Sequence, residues 1–159
     1  MIFCTVGTQH PFDRLISYLV NWISLNPSMH AIIQGGDCRI DPVPDGFHRF
    51  IEEPDFSDIF SRATLIVSHA GMGNIIRAME ADIPIVVIPR RKTLREHVND
   101  HQVDTVNSFS GVPNIFTASD QHTFDAAMES ALKYPRTGST ERDHSLHRLQ
   151  TAIRSFIQS

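Results

Sequence analysis

The chain has 159 residues, 41% of them hydrophobic and 20% charged, a composition that suits one compact domain with a real core. A formal net charge of -4 and a pI near 6.1 exclude a general nucleic-acid binder. Two cysteines, Cys4 and Cys38, make no disulfide framework; Cys4 lies in an apolar run, reads as a small core residue and suits a reducing, cytoplasmic setting.

Met1 to Gly7 turns polar too quickly for a signal peptide or a membrane span, and no later stretch approaches spanning length. A first strand is predicted over Ile2 to Val6, closed by the turn Gly7-Thr8-Gln9-His10-Pro11. Phe12 to Leu25 carries Leu15, Ile16, Leu19, Trp22 and Ile23 at helical spacing, and Asn26-Pro27 stops it. His30 to Gln34 reads as a second strand ending at Gly35-Gly36, followed by a proline-containing loop from Asp37 to Gly46. A third strand is expected over Phe47 to Glu52 and a short helix over Phe56 to Arg62. The acidic pair Glu52-Glu53 points apart in an extended strand, which disfavours a glycosidase-type carboxylate pair.

Next come a buried strand at Ala63 to Val67, a helix from about Gly73 to Ala81, and a strand Ile85 to Ile88 closed by Pro89. Glu96 to Phe109 is predicted helical, Asn114 to Phe116 a short strand, and Thr123 to Lys133 a helix. After a break at Tyr134 to Thr140, residues 141–159 carry a closing helix with Leu146, Leu149, Ile153 and Phe156 on one face, free to pack on its own sheet or on a partner. Alternating strands and helices without a repeat predict one α/β domain over 1–159, a Rossmann-like parallel sheet with helices on both faces.

The most informative segment is Ser68-His69-Ala70-Gly71-Met72-Gly73-Asn74, where a buried strand gives way to a helix. Gly71 and Gly73 permit unusual backbone angles and keep side chains away from a ligand. The helix start would aim free amides and a positive dipole end at the same spot, which makes a phosphate site. His69 would add a donor or a charge there, or else be a packed turn histidine. An ordinary strand-to-helix turn with glycines for tight packing is the plain alternative. Arg90, Arg91 and Lys92 follow the next strand at its carboxyl end, where open α/β sheets bind ligands; they are an anion or partner contact or a solvated cluster. Glu96 to Gln102 is dense in side chains able to read hydroxyl groups. His97 and His101, four apart, have zinc-compatible spacing but no third ligand in evidence.

Phe3-Cys4-Thr5-Val6-Gly7-Thr8-Gln9 with Phe12 to Ile16, the Ser68 to Asn74 segment with Pro84 and Pro89, and Asn99-Asp100-His101-Gln102 resemble, in order and spacing, the carboxyl-terminal domains of family 28 glycosyltransferases. The resemblance spans roughly Met1 to Phe116. It is closest to short stand-alone members, the catalytic subunits of bipartite UDP-sugar transferases; these are the eukaryotic UDP-GlcNAc type and the bacterial PssE type for exopolysaccharide, the latter more like Pro89 to Gln102 here.

The resemblance implies a fold equivalent to the C-terminal half of a GT-B enzyme, with no metal or cofactor. A UDP-sugar donor would lay its diphosphate over His69 to Asn74, near the amides of Gly7, Thr8 and Gln9. Uracil would lie against Phe50, Ile51, Glu52 and Phe56, and the sugar near Asn99, Asp100, His101 and Gln102, with Arg90 and Arg91 suiting an acidic sugar. The resemblance leaves the sugar open: UDP-glucuronate suits the PssE likeness, whereas UDP-GlcNAc and UDP-galactose are used by similar proteins. A membrane-anchored subunit would bring a polyprenyl-diphosphate-linked acceptor to the cytoplasmic face of a membrane. The base would come from that partner, with His10 an outside candidate. The alternative is a non-catalytic UDP-sugar-binding subunit or sensor. Many relatives carry an acid eight residues after the histidine to grip the ribose; here that position is Arg77. Either Glu80 takes the ribose, or Arg77 pairs with Glu80 one helical turn on and the ribose is held otherwise.

Overall fold

The computed structural model describes residues 1–109 and 111–135, so the closing helix expected within 141–159 lies outside the described residues. The elements run β1 (Ile2–Thr5), α1 (Asp13–Leu25), β2 (Ala31–Gln34), β3 (Phe47–His48), α2 (Asp55–Arg62), β4 (Leu65–His69), α3 (Met72–Glu80), β5 (Ile85–Ile88), α4 (His101–Ser108), β6 (Ile115–Thr117) and α5 (Gln121–Leu132). A single 3-10 turn at Lys92–Leu94 lies between β5 and α4.

All six strands are parallel, in the order β3-β2-β1-β4-β5-β6. The chain builds outward from β1 in one direction and then from β4 in the other, so the crossovers diverge between these two central strands. That divergence opens a crevice at their carboxyl ends, where doubly wound sheets receive ligands.

The continuous apolar runs are explained by cover on both faces. Ile2, Cys4, Leu65, Val67, Val86 and Ile88 point into a core shared with Leu15, Ile16, Leu19 and Trp22 of α1 and Phe124 and Met128 of α5. Phe3, Ile66, Ile85 and Val87 point to the opposite face, onto Phe60 of α2, Ile75 and Ala78 of α3, and Phe109. Each fully buried side chain of that size contributes about 1.5–3 kcal/mol. Among the described residues, the face covered by α1 and α5 and the face covered by α2 and α3 are both closed.

Two elements differ from expectation. The third strand is limited to Phe47–His48 instead of running to Glu52. Beyond β2 the Gly35 and Gly36 N–H groups still donate to the His48 and Arg49 carbonyls at 2.9 Å each, but the Ile51 N–H goes to the Gln34 side-chain Oε1 at 2.9 Å instead of a strand carbonyl. The helix expected from Glu96 begins only at His101. In residues 91–101, side chains take the backbone donors that a helix would use locally. Glu96 accepts from Arg91 N (3.0 Å), Asp100 from Lys92 N (2.9 Å) and Asn99 from His101 N (3.3 Å).

Candidate functional site: a cavity at the divergence of β1 and β4

A cavity of about 640 Å³ opens where β1 and β4 end. Its wall takes Gly7, Thr8, Gln9 and His10 from the β1–α1 loop, His69 from the end of β4, and Gly71, Gly73 and Asn74 from the start of α3. Phe50, Ile51 and Phe56 form an apolar side, and Arg90, His97 and Gln102 reach it from beyond β5. The register aligns Thr5 with Ser68, which brings the two loops together.

No side chain caps α3. Gly71 precedes the helix in an extended conformation, so the amides of its first turn are left to solvent or to a ligand. Asn74 donates from Nδ2 to Ser68 Oγ at 2.8 Å, which ties the first turn to the strand end.

His69 serves as the packing block between the loops. A Cβ at Gly71 would lie 2.3 Å from its Nε2, and one at Gly7 2.8 Å from its Cε1. Gly7 also has φ +81, a left-handed angle that glycine adopts without strain. Gly71 is needed for clearance, its own angles being ordinary. Burial, then the nearby Arg90 charge, pushes the His69 pKa down to about 4. The imidazole is therefore neutral at pH 7, and the added charge considered from the sequence is absent.

Arg90 is not a solvent-facing cation. It is 3% exposed, and its guanidinium donates to the carbonyls of Val6 (2.8 Å), His10 (2.7 Å) and Pro11 (2.6 Å), lying over the Phe12 ring. The residue that follows β5 thus fixes the loop that follows β1. Its own N–H donates to Gln102 Oε1 at 3.0 Å. Arg14 of α1 completes the frame with a two-pronged pair to Glu96 at 2.7 and 2.8 Å, and further bonds to Pro89 and Ser119 carbonyls.

Several expected positions do not line the cavity. Ser68 and Ala70 are buried supports, and Met72, the first residue of α3, is partly buried and packs against the core. Arg91, Asn99, Asp100 and His101 lie off the wall; of their stretch only Gln102 reaches it. His101 is exposed and 3.9 Å from Asp104, and since α4 begins there it does not share a helix with His97. Glu80 is exposed at the far end of α3, and the expected Arg77–Glu80 pair is replaced by Arg77 with Glu53 (3.4 Å) and Ser57. The rings of Phe56 and Phe60 draw Arg77 to that side, lying 5.4 and 5.0 Å from its guanidinium.

Thr5, Val6, Gln34, Glu53 and His97 complete the wall; from the sequence Glu53 reads only as half of an acidic pair and His97 only by its zinc-compatible spacing, and none of the five is assigned to a donor site. Gln34, a polar residue closing an apolar strand, carried a usable signal. His97 stands edge-on to His10, ring centres 6.1 Å apart, a contact across 87 residues that no local pattern announces.

An all-parallel sheet of this order, with a glycine-lined cavity at its divergence, defines a Rossmann-like α/β domain. A model of the glycosyltransferase family 28 C-terminal domain matches residues 1–114, and the chain belongs to that family. Over 105 residues it is 28% identical to the UDP-N-acetylglucosamine transferase subunit ALG13 of Mus musculus, an overlap of 60% of this chain and 9% of the mouse protein. The glycotransferase of kitacinnamycin shares its fold with TM-score 0.64 at 17% identity, over 98% of this chain and 39% of that one. The solution structure of ALG13 does so with TM-score 0.58 at 17% identity, over 93% of each chain. Among the described residues no helix is long and apolar enough to cross a membrane.

Proposed function

We propose that this chain is the donor-binding catalytic subunit of an inverting glycosyltransferase that moves a sugar from a UDP-sugar to a polyprenyl-diphosphate-linked acceptor. A membrane-anchored partner would supply the acceptor half and recruit the chain to the cytoplasmic face of a membrane, and the transfer would serve polysaccharide biosynthesis. The observation that carries the reading is the uncapped start of α3 facing the Gly7–Gln9 loop across an open cavity. The mouse relative's name, a UDP-N-acetylglucosamine transferase subunit, supports a UDP donor and a two-component arrangement.

In this reading the acceptor hydroxyl attacks the anomeric carbon as its bond to the β-phosphate oxygen breaks, and UDP departs with the electron pair. The α3 amides and those of Gly7, Thr8 and Gln9 receive the charge that develops on the diphosphate. Neutral His69 holds both glycine turns at the spacing this requires, and Gln102 lies where the sugar would enter. The proton goes to a base on the partner or to His10, which is exposed on the cavity rim.

One observation favours a second reading, a non-catalytic UDP-sugar-binding subunit. Glu53, the one carboxylate lining the cavity among the described residues, is tied to Arg77 and Ser57 and is not free as a base. Reconstitution with the membrane partner and a lipid-diphosphate acceptor, across a panel of UDP-sugars, separates the two. Transfer that falls at least tenfold in His69→Ala and Gln102→Ala supports catalysis, on the scale of one lost charge-stabilising contact, roughly. Tight binding without turnover supports the second reading.

A further inference from the structure

We propose that Glu53 reads a ribose hydroxyl of the bound nucleotide and that Arg77 is the residue that positions it. The inference rests on the nucleotide-binding reading above and deepens it.

A nucleoside diphosphate has three parts in fixed covalent order, so its ribose must bridge whatever holds the base and whatever holds the phosphates. Here the apolar side of the cavity, Phe50, Ile51 and Phe56, offers the flat surface for a base, and the start of α3 offers the amides for phosphate. Glu53 belongs to the first wall by sequence and is linked to α3 through Arg77, so it joins the two. Among the described residues it is the single carboxylate lining the cavity.

Its hydrogen bonds leave capacity where a ligand needs it. Oε2 accepts from both the N–H (3.2 Å) and the hydroxyl of Ser57, whereas Oε1 receives only Arg77 Nη1 at 3.4 Å. A carboxylate oxygen has two lone-pair sites, so Oε1 can take a hydroxyl donor. The Glu53 side chain is 60% exposed, which leaves it accessible. The Ser57 bonds, and then Arg77, hold its pKa below the ordinary value, so at neutral pH it is acceptor-only. Arg77 in turn is fixed by the Phe56 and Phe60 rings and by Ser57. An exposed ion pair without a ligand role would share this geometry but would be indifferent to a ribose.

The experiment is calorimetric titration of the whole chain with UDP and with 2′,3′-dideoxy-UDP, in wild type, Glu53→Ala, Glu53→Gln, Arg77→Met and Arg77→Lys. Wild type should prefer UDP by about tenfold, the scale of one hydrogen bond to a charged group. Glu53→Ala should bring the ratio near one while leaving dideoxy-UDP affinity within about twofold, which also reports an intact fold. Glu53→Gln should retain part of the preference. Arg77→Met should reduce it, and Arg77→Lys should restore part of the loss. A preference that survives Glu53→Ala, or a wild type that binds both ligands equally, overturns the role of Glu53 and leaves the phosphate cradle standing. A wild type that binds neither ligand overturns the nucleotide reading and this one with it.

Discussion

Replacing Gly71 with alanine tests whether the His69 ring sets the spacing of the two loops. The backbone at Gly71, φ -86 and ψ 131, suits alanine, so any cost comes from contact and not from backbone strain. The added methyl would lie 2.3 Å from Nε2 and 3.0 Å from Cδ2 and Cε1 of His69. That ring is also wedged against Gly7, so it must shift or the turn must deform. Overpacking of this kind costs about 1–3 kcal/mol, offset by about 0.4–1 kcal/mol from the stiffer unfolded chain. The net expectation is a loss of about 1–2 kcal/mol, roughly 3–6 °C in Tm for a domain of this size. In a His69→Ala background the obstruction is gone, and Gly71→Ala should become neutral or slightly stabilising. Urea denaturation of the four proteins in this cycle measures the coupling directly. An equal loss in both backgrounds would refute the account of His69 as a packing block.

Acidification offers a separate test of the same ring. The unfolded chain takes up a proton near pH 6.5 that the folded protein refuses until about pH 4, so stability is full above 6.5, falls as pH drops, and levels off below 4. The gap amounts to about 3 kcal/mol, and His69→Asn should lack that part of the slope in urea titrations across this range. Arg90→Met should lower stability by at least about 2 kcal/mol, because the Val6, His10 and Pro11 carbonyls lose their donor, and it should weaken UDP binding in calorimetry; an unchanged denaturation midpoint would remove the loop-anchoring role. Both thiols should resist a thiol reagent in the folded protein and react together on unfolding, since Cys4 is fully buried and burial pushes Cys38 up to about 11; fast labelling of either in native buffer would contradict this packing.

Much of the fold was legible because its strands are buried on both faces. Runs such as Leu65-Ile66-Val67 and Ile85-Val86-Val87-Ile88 fit little else, and the Leu15–Trp22 stripe marked α1. The glycine-rich turn was legible for the same reason, since small residues directly after such a strand have few explanations. What could not be read locally depends on distant partners. Arg90 reads from the sequence as an anion or partner contact or a solvated cation, because nothing in its neighbourhood reveals three carbonyls about 80 residues earlier. The start of α4 was set too early because polar side chains at Glu96, Asn99 and Asp100 satisfy backbone donors without a helix. Glu53 reads from the sequence only as half of an acidic pair in an extended strand; the strand stops at His48, and it is the turn before α2 that leaves Glu53 lining the cavity while Glu52 does not.

The burial of Arg90 has an electrical consequence for this domain. Its hydrogen bonds end on backbone carbonyls, and the nearby Glu96 carboxylate, which acts on it through space, is itself bonded to Arg14. A permanent cation set behind the loop imposes a positive background on the crevice before any anion arrives. The depressed basicity of His69, to which Arg90 contributes after burial itself, acts as an internal voltmeter for that background. An incoming polyanion is drawn by the same field that repels the proton, whichever groups of the wall it touches.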